Sequence, residues 1–507
     1  MEGFLLNCNK ELMDKYILAI DAGTTSSRAI IFNKNAEVIE IAQYEFNQFF
    51  PKEGWVEHDA VEIWNTQLKA IKDVVNKSKI DSNQIDSIGI TNQRETTIIW
   101  DKQTGKPVYN AIVWQDRRTA SFCDELIEKN KTSLIQQKTG LVIDAYFSGT
   151  KIKWILDNNH ELREKANDNK LLFGTVDTWL IWNLTNGKSH ITDPSNASRT
   201  LLYNIKDDKW DKELLDLFDV PENILPKVVD SSSVSTNIYK GILGVEIPIS
   251  GIAGDQQAAL FGQLCINEGD IKNTYGTGCF CMMNTGENFV MSKNKMLSTI
   301  AWRINGEITY ALEGSVFVAG ALIQWLRDQL GIIKSSPEVE GLAETVNDNG
   351  GLTFVPALSG LAAPYWDPYV QGTIFGITRG TKNGHIARAA LESIALRTRD
   401  IVVEMEKDAG IKFKDLKVDG GASNNNLLMQ IQANLLSTNV VRPKTTETTA
   451  LGVAFLAGLA SGFWKDISDL KKLWIKDMSF SPDKNFKSND IIELWQDRIN
   501  RLIKVNE

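Results

Sequence analysis

The sequence predicts an α/β protein with two similar domains that face each other across a cleft. First, an apolar strand at 16–22 ends at Asp21, and a turn of small and hydroxyl residues leads from it into a second apolar strand. Second, residues 271–283 repeat this order of strand, small turn and strand in the second half of the chain. Third, strands alternate with helical patterns elsewhere, which is typical of α/β domains.

The elements of the first region follow from hydrophobic periodicity. The predicted strands of this region are 16–22, 26–33, 37–46 and 85–90. A short polar turn at 33–36 joins two of them, so we expect an antiparallel meander. A helical pattern follows Asp59, with apolar residues spaced three or four apart from Ile63 to Val75. The strand at 85–90 ends in polar residues that include Arg94 and Glu95.

The second region repeats this order of elements. A strand at 247–254 runs into Asp255, and a helix-like segment follows it. The Asn305-Gly306 pair predicts a tight hairpin between strands at 298–304 and 307–313. Further predicted elements are a helix at about 316–330, a strand at 416–421 that ends in paired glycines, and a helix that begins near Ser423.

Composition excludes several classes of protein. The chain has 507 residues and a formal net charge of −9, which makes nucleic acid and anionic membranes poor partners. The five cysteines show no zinc-type spacing, so we expect reduced thiols and a cytoplasmic location. Residues 1–15 lack a signal-peptide pattern, and we expect a short disordered lead-in. The apolar window at 450–464 is too short to cross a bilayer and predicts a buried, tightly packed helix.

The turn after the first strand is suited to a nucleotide phosphate. Gly23, Thr24 and Thr25 offer backbone N–H groups and hydroxyls to phosphate oxygens, and Asp21 offers a carboxylate to magnesium. An ordinary hairpin with a polar turn is the alternative. The recurrence of a glycine-containing turn in the same strand context at 275–278 favours the phosphate interpretation.

Several long motifs resemble the FGGY family of carbohydrate kinases. They are Asp21-Ala-Gly-Thr-Thr-Ser-Ser-Arg28, Gly251-Ile-Ala-Gly-Asp-Gln-Gln257, Tyr275-Gly-Thr-Gly-Cys-Phe280 and Asp419-Gly-Gly-Ala-Ser-Asn424. Further motifs resemble the members that phosphorylate glycerol: Gly89-Ile-Thr-Asn-Gln-Arg-Glu-Thr-Thr97, Asn110-Ala-Ile-Val-Trp-Gln115, Phe147-Ser-Gly-Thr-Lys-Ile-Lys-Trp154, Phe173-Gly-Thr-Val-Asp-Thr-Trp179 and Ala363-Pro-Tyr-Trp-Asp367. The resemblance covers about residues 16–465. It implies two duplicated ribonuclease-H-like domains, shared with actin, hexokinase and the Hsp70 ATPase, around a central cleft.

The resemblance implies a domain at 16–262 that binds glycerol and phosphate and a domain at 263–507 that binds the nucleotide. We expect these domains to close on their ligands, because a kinase must keep water from the γ-phosphate. The implied reaction is ATP-dependent phosphorylation of glycerol to sn-glycerol 3-phosphate, the first step of glycerol utilisation. The implied cofactors are ATP/ADP and Mg²⁺, and a homo-oligomer, dimer or tetramer, is expected.

Asp255 is the residue we expect to be catalytic. A hydroxyl is a weak nucleophile, so a carboxylate that accepts its proton helps its attack on the γ-phosphorus. The alternative role for Asp255 is a helix N-cap, and both roles are compatible. The substrate-binding residues implied by the resemblance are Arg94, Glu95, Trp114, Tyr146, Asp255, Gln256 and Phe280. Taken alone, an Arg-Glu pair is more often a surface ion pair, and an aromatic residue is more often part of the core.

The nucleotide-binding residues implied by the resemblance come from both halves of the chain. They are Thr24, Thr25, Ser26, Arg28, Thr277, Gly320, Gln324, Gly421 and Asn425, with Asp21 at the magnesium. The glycines allow the backbone to approach the ligand closely, and helix N-termini favour electronegative ligands.

Two rival functions stay open at this point. Another FGGY kinase, acting on a ketopentose or a longer polyol, needs more room than glycerol does. An actin-like or Hsp70-like ATPase shares the fold alone.

The sequence departs from some relatives at a position linked to inhibition by fructose 1,6-bisphosphate. Glu246 stands where bisphosphate-inhibited relatives have an arginine, so we expect that inhibition to be absent or weak.

Overall fold

A computed structural model describes residues 14–367 and 369–506. The predicted disorder of residues 1–15 falls almost entirely on 1–13, which lie outside the described residues, as does Cys8. The strands are β1 (Tyr16–Ala22), β2 (Ser26–Phe32), β3 (Val38–Glu45), β4 (Glu57–His58), β5 (Ile85–Asn92), β6 (Ile98–Asp101), β7 (Ala111–Ile112), β8 (Leu171–Gly174), β9 (Ile191–Thr192), β10 (Tyr203–Asn204), β11 (Lys209–Trp210), β12 (Lys227–Val228), β13 (Ser232–Asn237), β14 (Pro248–Gly254), β15 (Ile271–Tyr275), β16 (Cys279–Gly286), β17 (Leu297–Ile304), β18 (Glu307–Val316), β19 (Thr353–Val355), β20 (Thr373–Phe375), β21 (Asp415–Asp419), β22 (Asn439–Pro443) and β23 (Lys476–Phe480).

The helices are α1 (Ala60–Ser78), α2 (Ala120–Glu128), α3 (Thr132–Thr139), α4 (Ser148–Asp157), α5 (His160–Asn167), α6 (Val176–Leu184), α7 (Pro194–Ala197), α8 (Lys212–Phe218), α9 (Asp255–Gly262), α10 (Gly320–Asp328), α11 (Glu338–Ala343), α12 (Asn383–Ala409), α13 (Asn426–Leu436), α14 (Thr448–Ser461), α15 (Ile467–Leu473) and α16 (Ser488–Asn506). Among the described residues, no helix combines the length and the apolar character needed to cross a bilayer.

The two halves of the main sheet share one strand arrangement. In the first half the order is β3-β2-β1-β5-β14, with an antiparallel meander followed by strands β5 and β14 parallel to β1. In the second half β18-β16-β15 are antiparallel, and β21 and β22 run parallel to β15. The predicted repeat of strand, turn and strand is therefore a repeat of the whole sheet pattern. Strands β13 and β17 join the halves into one 13-stranded sheet.

Helix α14 packs the second half of the chain against the first. Its buried residues form one apolar cluster with β1 and β2 residues such as Ile17 and Ile30. The helix crosses α9 very closely, since a Cβ added to Gly452 would lie 1.7 Å from the carbonyl oxygen of Ala258. A side chain at Gly452 would force the two helices apart. The buried, tightly packed helix predicted in the 450–464 window is therefore observed, with bounds of 448–461.

Two predicted helix boundaries are wrong. The helix expected at 316–330 begins only at Gly320, because strand β18 continues to Val316 and pairs with Cys279. The helix expected near Ser423 is preceded by a 3₁₀ turn at Gly421–Asn424, and the α-helix begins at Asn426. The side chain of Asn425 accepts a hydrogen bond from the Leu428 N–H, so Asn425 is the N-cap.

Candidate active site

Parallel strands bring the predicted polar residues of the first half to one edge of the sheet. Asp21 lies at the end of β1, Arg94 and Glu95 follow β5, and Asp255 follows β14. The register places Asp21 beside Thr91, and Thr91 beside Ala253. Because the carboxyl ends of parallel strands meet at the same edge, Asp21 and Asp255 are separated by one strand.

Asp255 is the first residue of α9, and Gly254 is the residue that caps the helix. The N-cap role considered for Asp255 is therefore wrong. Its Oδ1 accepts a hydrogen bond of 2.7 Å from the Gln256 N–H and lies 3.1 Å from Arg94 Nε. The side chain is 31% exposed, so the carboxylate can be reached from the cleft. Burial among protein atoms raises the pKa of Asp255, and the positive charge of Arg94 opposes that rise.

A cluster of buried charges lies behind Asp255. Arg94 makes a bidentate ion pair with Glu313. Arg199 bridges the two glutamates, with Nη2 3.0 Å from Glu313 Oε1 and Nε 2.5 Å from Glu95 Oε1. The side chains of Arg94, Glu95, Arg199 and Glu313 are at most 2% exposed. Burial alone would raise the pKa of Glu313, but Arg199 and Arg94 outweigh it and hold that pKa at about 2. The carboxylates and guanidinium groups therefore fix one another in place.

Arg94 has little capacity left for a substrate. Its Nη1 donates to Gln257 Oε1 as well as to Glu313, and one Nη2–H donates to Glu313 Oε1. Its Nε faces Asp255. A single N–H on Nη2 has no hydrogen-bond acceptor among the described residues. Arg94 is therefore placed to orient Asp255 and to contact at most one substrate oxygen.

Glu95 has an unusual backbone conformation. Its φ is +61°, in the left-handed region that residues other than glycine, asparagine and aspartate seldom adopt. The residue is held there by Arg199 on its carboxylate and by the Ser148 hydroxyl, which donates to the Glu95 carbonyl at 3.0 Å. Strained backbone of this kind persists only when the surroundings fix it, and it is concentrated at functional sites.

The predicted aromatic residues form a wall beside the charged cluster. The Trp114 ring lies 5.6 Å from Tyr146 and 6.4 Å from Phe280, centroid to centroid. The Arg199 guanidinium lies 5.4 Å from the Tyr146 ring, which joins this wall to the buried charges. The Tyr146 hydroxyl has no hydrogen-bond partner among the described residues. The wall thus offers apolar surface and one free phenolic hydroxyl.

The wall also touches the turn between β1 and β2. Trp114 Nε1 donates a hydrogen bond of 3.1 Å to Thr24 Oγ1. Thr25 is exposed, and Ser26 and Arg28 are partly exposed. Arg28 forms ion pairs with Asp21 and with Glu447, the latter at 2.7 Å. The predicted contact of Arg28 with a phosphate therefore requires the guanidinium to leave or share these carboxylates.

The predicted nucleotide residues of the second half line one cavity of about 400 Å³. The predicted residues in its lining are Thr277, Gly320, Gln324, Gly421 and Asn425. The turn at Gly276–Gly278 rests on the start of α10, where the Gly320 N–H donates to the Gly276 carbonyl at 3.0 Å. Gly320 must be glycine, since a Cβ there would lie 2.6 Å from the Gly276 carbonyl oxygen. Gly420 must also be glycine, since a Cβ there would lie 2.6 Å from the Tyr275 carbonyl oxygen.

We expect Gly320→Ala to weaken nucleotide binding and to leave glycerol binding unchanged. The added methyl group would push the Thr277 turn away from α10. The KM for ATP should rise about tenfold, as expected for loss of a charged hydrogen bond of roughly 1.5 kcal/mol. Steady-state kinetics with each substrate varied in turn provides the measurement. Gly341→Ala is the control, because a Cβ added to that helical glycine would meet no atom within 4 Å apart from its chain neighbours and the backbone of its own helix. An unchanged KM for ATP in Gly320→Ala would contradict the expectation.

Four charged or polar residues of this region were not predicted from the sequence. Arg199, Glu313 and Gln257 contact Arg94 or Glu95, and Lys272 donates to Gln256. No described set of three or more histidine, cysteine, aspartate or glutamate residues could hold a metal by itself. A single carboxylate, Asp21, nevertheless fits Mg²⁺, which commonly takes one or two carboxylates and completes its shell with water and nucleotide phosphates.

Comparison with known proteins decides the family. The model of the FGGY carbohydrate kinase N-terminal domain matches residues 16–262, and that of the C-terminal domain matches residues 271–461. The chain belongs to the FGGY family of carbohydrate kinases. Both the predicted family and the predicted two-domain α/β fold are thus confirmed.

Individual FGGY relatives are similar over almost the whole chain. Glycerol kinase 2 of Thermotoga maritima is 58% identical over 488 residues, which is 96% of this chain and 98% of the relative. A glycerol kinase of Clostridium botulinum is 56% identical and covers 98% of this chain and 100% of its own length. The crystal structure of Plasmodium falciparum glycerol kinase with ADP superposes with a TM-score of 0.90 at 36% identity, over 96% of this chain and 98% of that one. Xylulose kinase of Lactobacillus acidophilus shares the FGGY fold at 23% identity and a TM-score of 0.87, over 96% of this chain and 98% of that one.

Proposed function

We propose that this chain is a glycerol kinase, which transfers the γ-phosphoryl group of ATP to glycerol and forms sn-glycerol 3-phosphate. One observation carries the proposal: the reachable carboxylate of Asp255 contacts Arg94 of the buried charged cluster, and that cluster packs against the three aromatic rings that also contact the turn between β1 and β2 at Thr24. Relatives named glycerol kinase at 56–58% identity over nearly the full length support this substrate.

Asp255 acts as the general base. Its carboxylate accepts the proton of the attacking hydroxyl as the bond to the γ-phosphorus forms. Arg94 holds the carboxylate in position at 3.1 Å. Glycerol exposes a carbon edge and three hydroxyls, so the aromatic wall covers the carbons while Tyr146 and Gln256 bind hydroxyls.

The nucleotide binds across both halves of the molecule. The adenosine occupies the cavity lined by Gly421, Asn425 and Gln324. Thr24, Thr25 and Ser26 bind phosphates from the first half, and Thr277 binds them from the second. Asp21 would hold Mg²⁺, which would supply charge neutralisation at the phosphates. Asp21 would give up its ion pair with Arg28 to hold Mg²⁺, and Arg28 would then be free to bind a phosphate.

The pKa of Asp255 predicts an acid limit to activity. Burial raises this pKa above 3.8, so the base becomes protonated when the pH is lowered through that raised pKa. The kcat/KM for glycerol should therefore fall in the same pH range. The measurement is the pH profile of kcat/KM, with circular dichroism at each pH to show that the protein stays folded. The residual activity of Asp255→Asn should lack this limb. A limb at or below pH 3.8 in the folded protein would contradict the assignment.

A coupled assay of ADP release tests the proposed activity. ADP should form with glycerol, at a much lower rate with a ketopentose such as xylulose, and barely at all without an acceptor. Phosphorus NMR should identify glycerol phosphate in an amount equal to the ADP. Faster turnover with xylulose would support the rival sugar kinase, and equal release without glycerol would support the ATPase. An oligomer and a cytoplasmic location stay predictions, and light scattering of the purified protein tests the first.

A further inference from the structure

Lys272 is a buried lysine that lies near Asp255. It is the second residue of β15 and its side chain has no exposed surface. Its Nζ donates to Gln256 Oε1 at 2.6 Å and to Thr274 Oγ1 at 2.8 Å. Among the described residues no carboxylate oxygen lies within 4 Å of this ammonium group.

Such an ammonium group is costly to bury. Burial lowers the pKa of Lys272, while Asp419 and Asp255 oppose that shift from a greater distance. Both of its hydrogen bonds are to uncharged oxygens. The group therefore destabilises the fold more than an ion-paired lysine would, and its position beside two residues of the proposed glycerol site needs a chemical reason.

The ammonium group fixes the direction of the Gln256 amide. It has three donors and no acceptor, so only the amide oxygen of Gln256 can face it. The amide nitrogen must then point the other way, and Nε2 has no hydrogen-bond acceptor among the described residues. Gln256 is the neighbour of Asp255 at the start of α9. The two side chains thus offer opposite hydrogen-bonding groups to a substrate: Asp255 offers an acceptor and Gln256 offers a donor.

We propose that Lys272 is a positioning residue that fixes Gln256 as a hydrogen-bond donor to a glycerol hydroxyl. This inference rests on the proposed function. Asp255 accepts from the reacting hydroxyl, while Gln256 donates to the oxygen of a neighbouring hydroxyl. The pair then recognises two adjacent hydroxyl groups in one orientation. Without Lys272 the amide can rotate by half a turn and place its oxygen against the substrate.

A double-mutant cycle tests this role. Lys272→Met and Gln256→Ala should each weaken glycerol binding about tenfold. This is the loss expected when one hydrogen bond to a charged group or to a rigidly held group is removed. The double variant should bind glycerol no more weakly than Gln256→Ala alone, because Lys272 acts through Gln256. Lys272→Arg, which can still donate to Oε1, should restore most of the affinity. Isothermal titration with glycerol gives the dissociation constants.

Thr274→Val is the matched control. It removes the other acceptor of the Lys272 ammonium group and leaves Gln256 in place, so glycerol affinity should change less than twofold. If Lys272→Met does not fold, Lys272→Gln replaces it, since a glutamine amide can accept as well as donate and therefore no longer fixes which end of the Gln256 amide faces it. Additive losses in the cycle, or a rise in the KM for ATP alone, would overturn the inference. A wild-type protein that does not bind glycerol would instead overturn the proposed function.

Discussion

Asp255→Asn should lower kcat by about two to four powers of ten, the usual contribution of general-base catalysis. The amide keeps the shape of the side chain and can still accept the Gln256 N–H, but it cannot take a proton from the attacking hydroxyl. The KM for glycerol should change much less, since the aromatic wall and Gln256 are untouched. Coupled ADP release at saturating glycerol and ATP gives the rate.

Two controls separate this effect from a general loss of structure. Asp328→Asn makes the same chemical change at an exposed carboxylate that pairs with its neighbour Arg327, and it should leave kcat unchanged. Thermal unfolding of Asp255→Asn should remain close to that of the wild type. A folded Asp255→Asn enzyme with full turnover would eliminate Asp255 as the base.

The sequence predicted most of the fold because its local signals agree with the final packing. The meander at the start of the chain, the strand before Asp255 and the Asn305-Gly306 hairpin each have a short-range pattern that the sheet preserves. In the hairpin both turn residues have positive φ, as this turn requires. The end of β18 could not be predicted in this way, because its last residues pair with β16, more than thirty positions earlier in the chain.

The charged cluster was harder to predict, because it too depends on contacts between residues far apart in the sequence. Asp255 and Arg94 stand in long motifs at strand ends, where a carboxylate or guanidinium already suggests a ligand. Glu313 and Lys272 lie within strands, and the strand register places both in one row through Met282. A lone charge in an otherwise uncharged strand segment, as at Glu313, is the signal that could have identified it. Its partners could not be predicted, since Arg94 and Arg199 lie more than a hundred residues away.

Removing Glu313 should produce the largest loss of stability of any change considered. Arg94 and Arg199 would keep their charges in the interior with only Glu95 and Asp255 to compensate them. Breaking a buried ion pair from one side costs about 3–5 kcal/mol, so Glu313→Ala should unfold at a clearly lower urea concentration. Circular dichroism follows the transition, and Asp328→Asn should differ from the wild type by no more than about 0.5 kcal/mol.

Glu313→Gln distinguishes positioning of the site from stability alone. Glutamine keeps the shape and one acceptor, so this variant should stay folded at 25 °C, while Arg94 loses one arm of its ion pair. Since Arg94 then no longer holds Asp255 firmly, kcat should fall about tenfold or more, the factor expected for one hydrogen bond to a charged group. Because Glu313 does not line the nucleotide cavity, the KM for ATP should stay the same. Wild-type stability in Glu313→Ala together with wild-type kcat in Glu313→Gln would show that the buried cluster neither supports the fold nor orients the base.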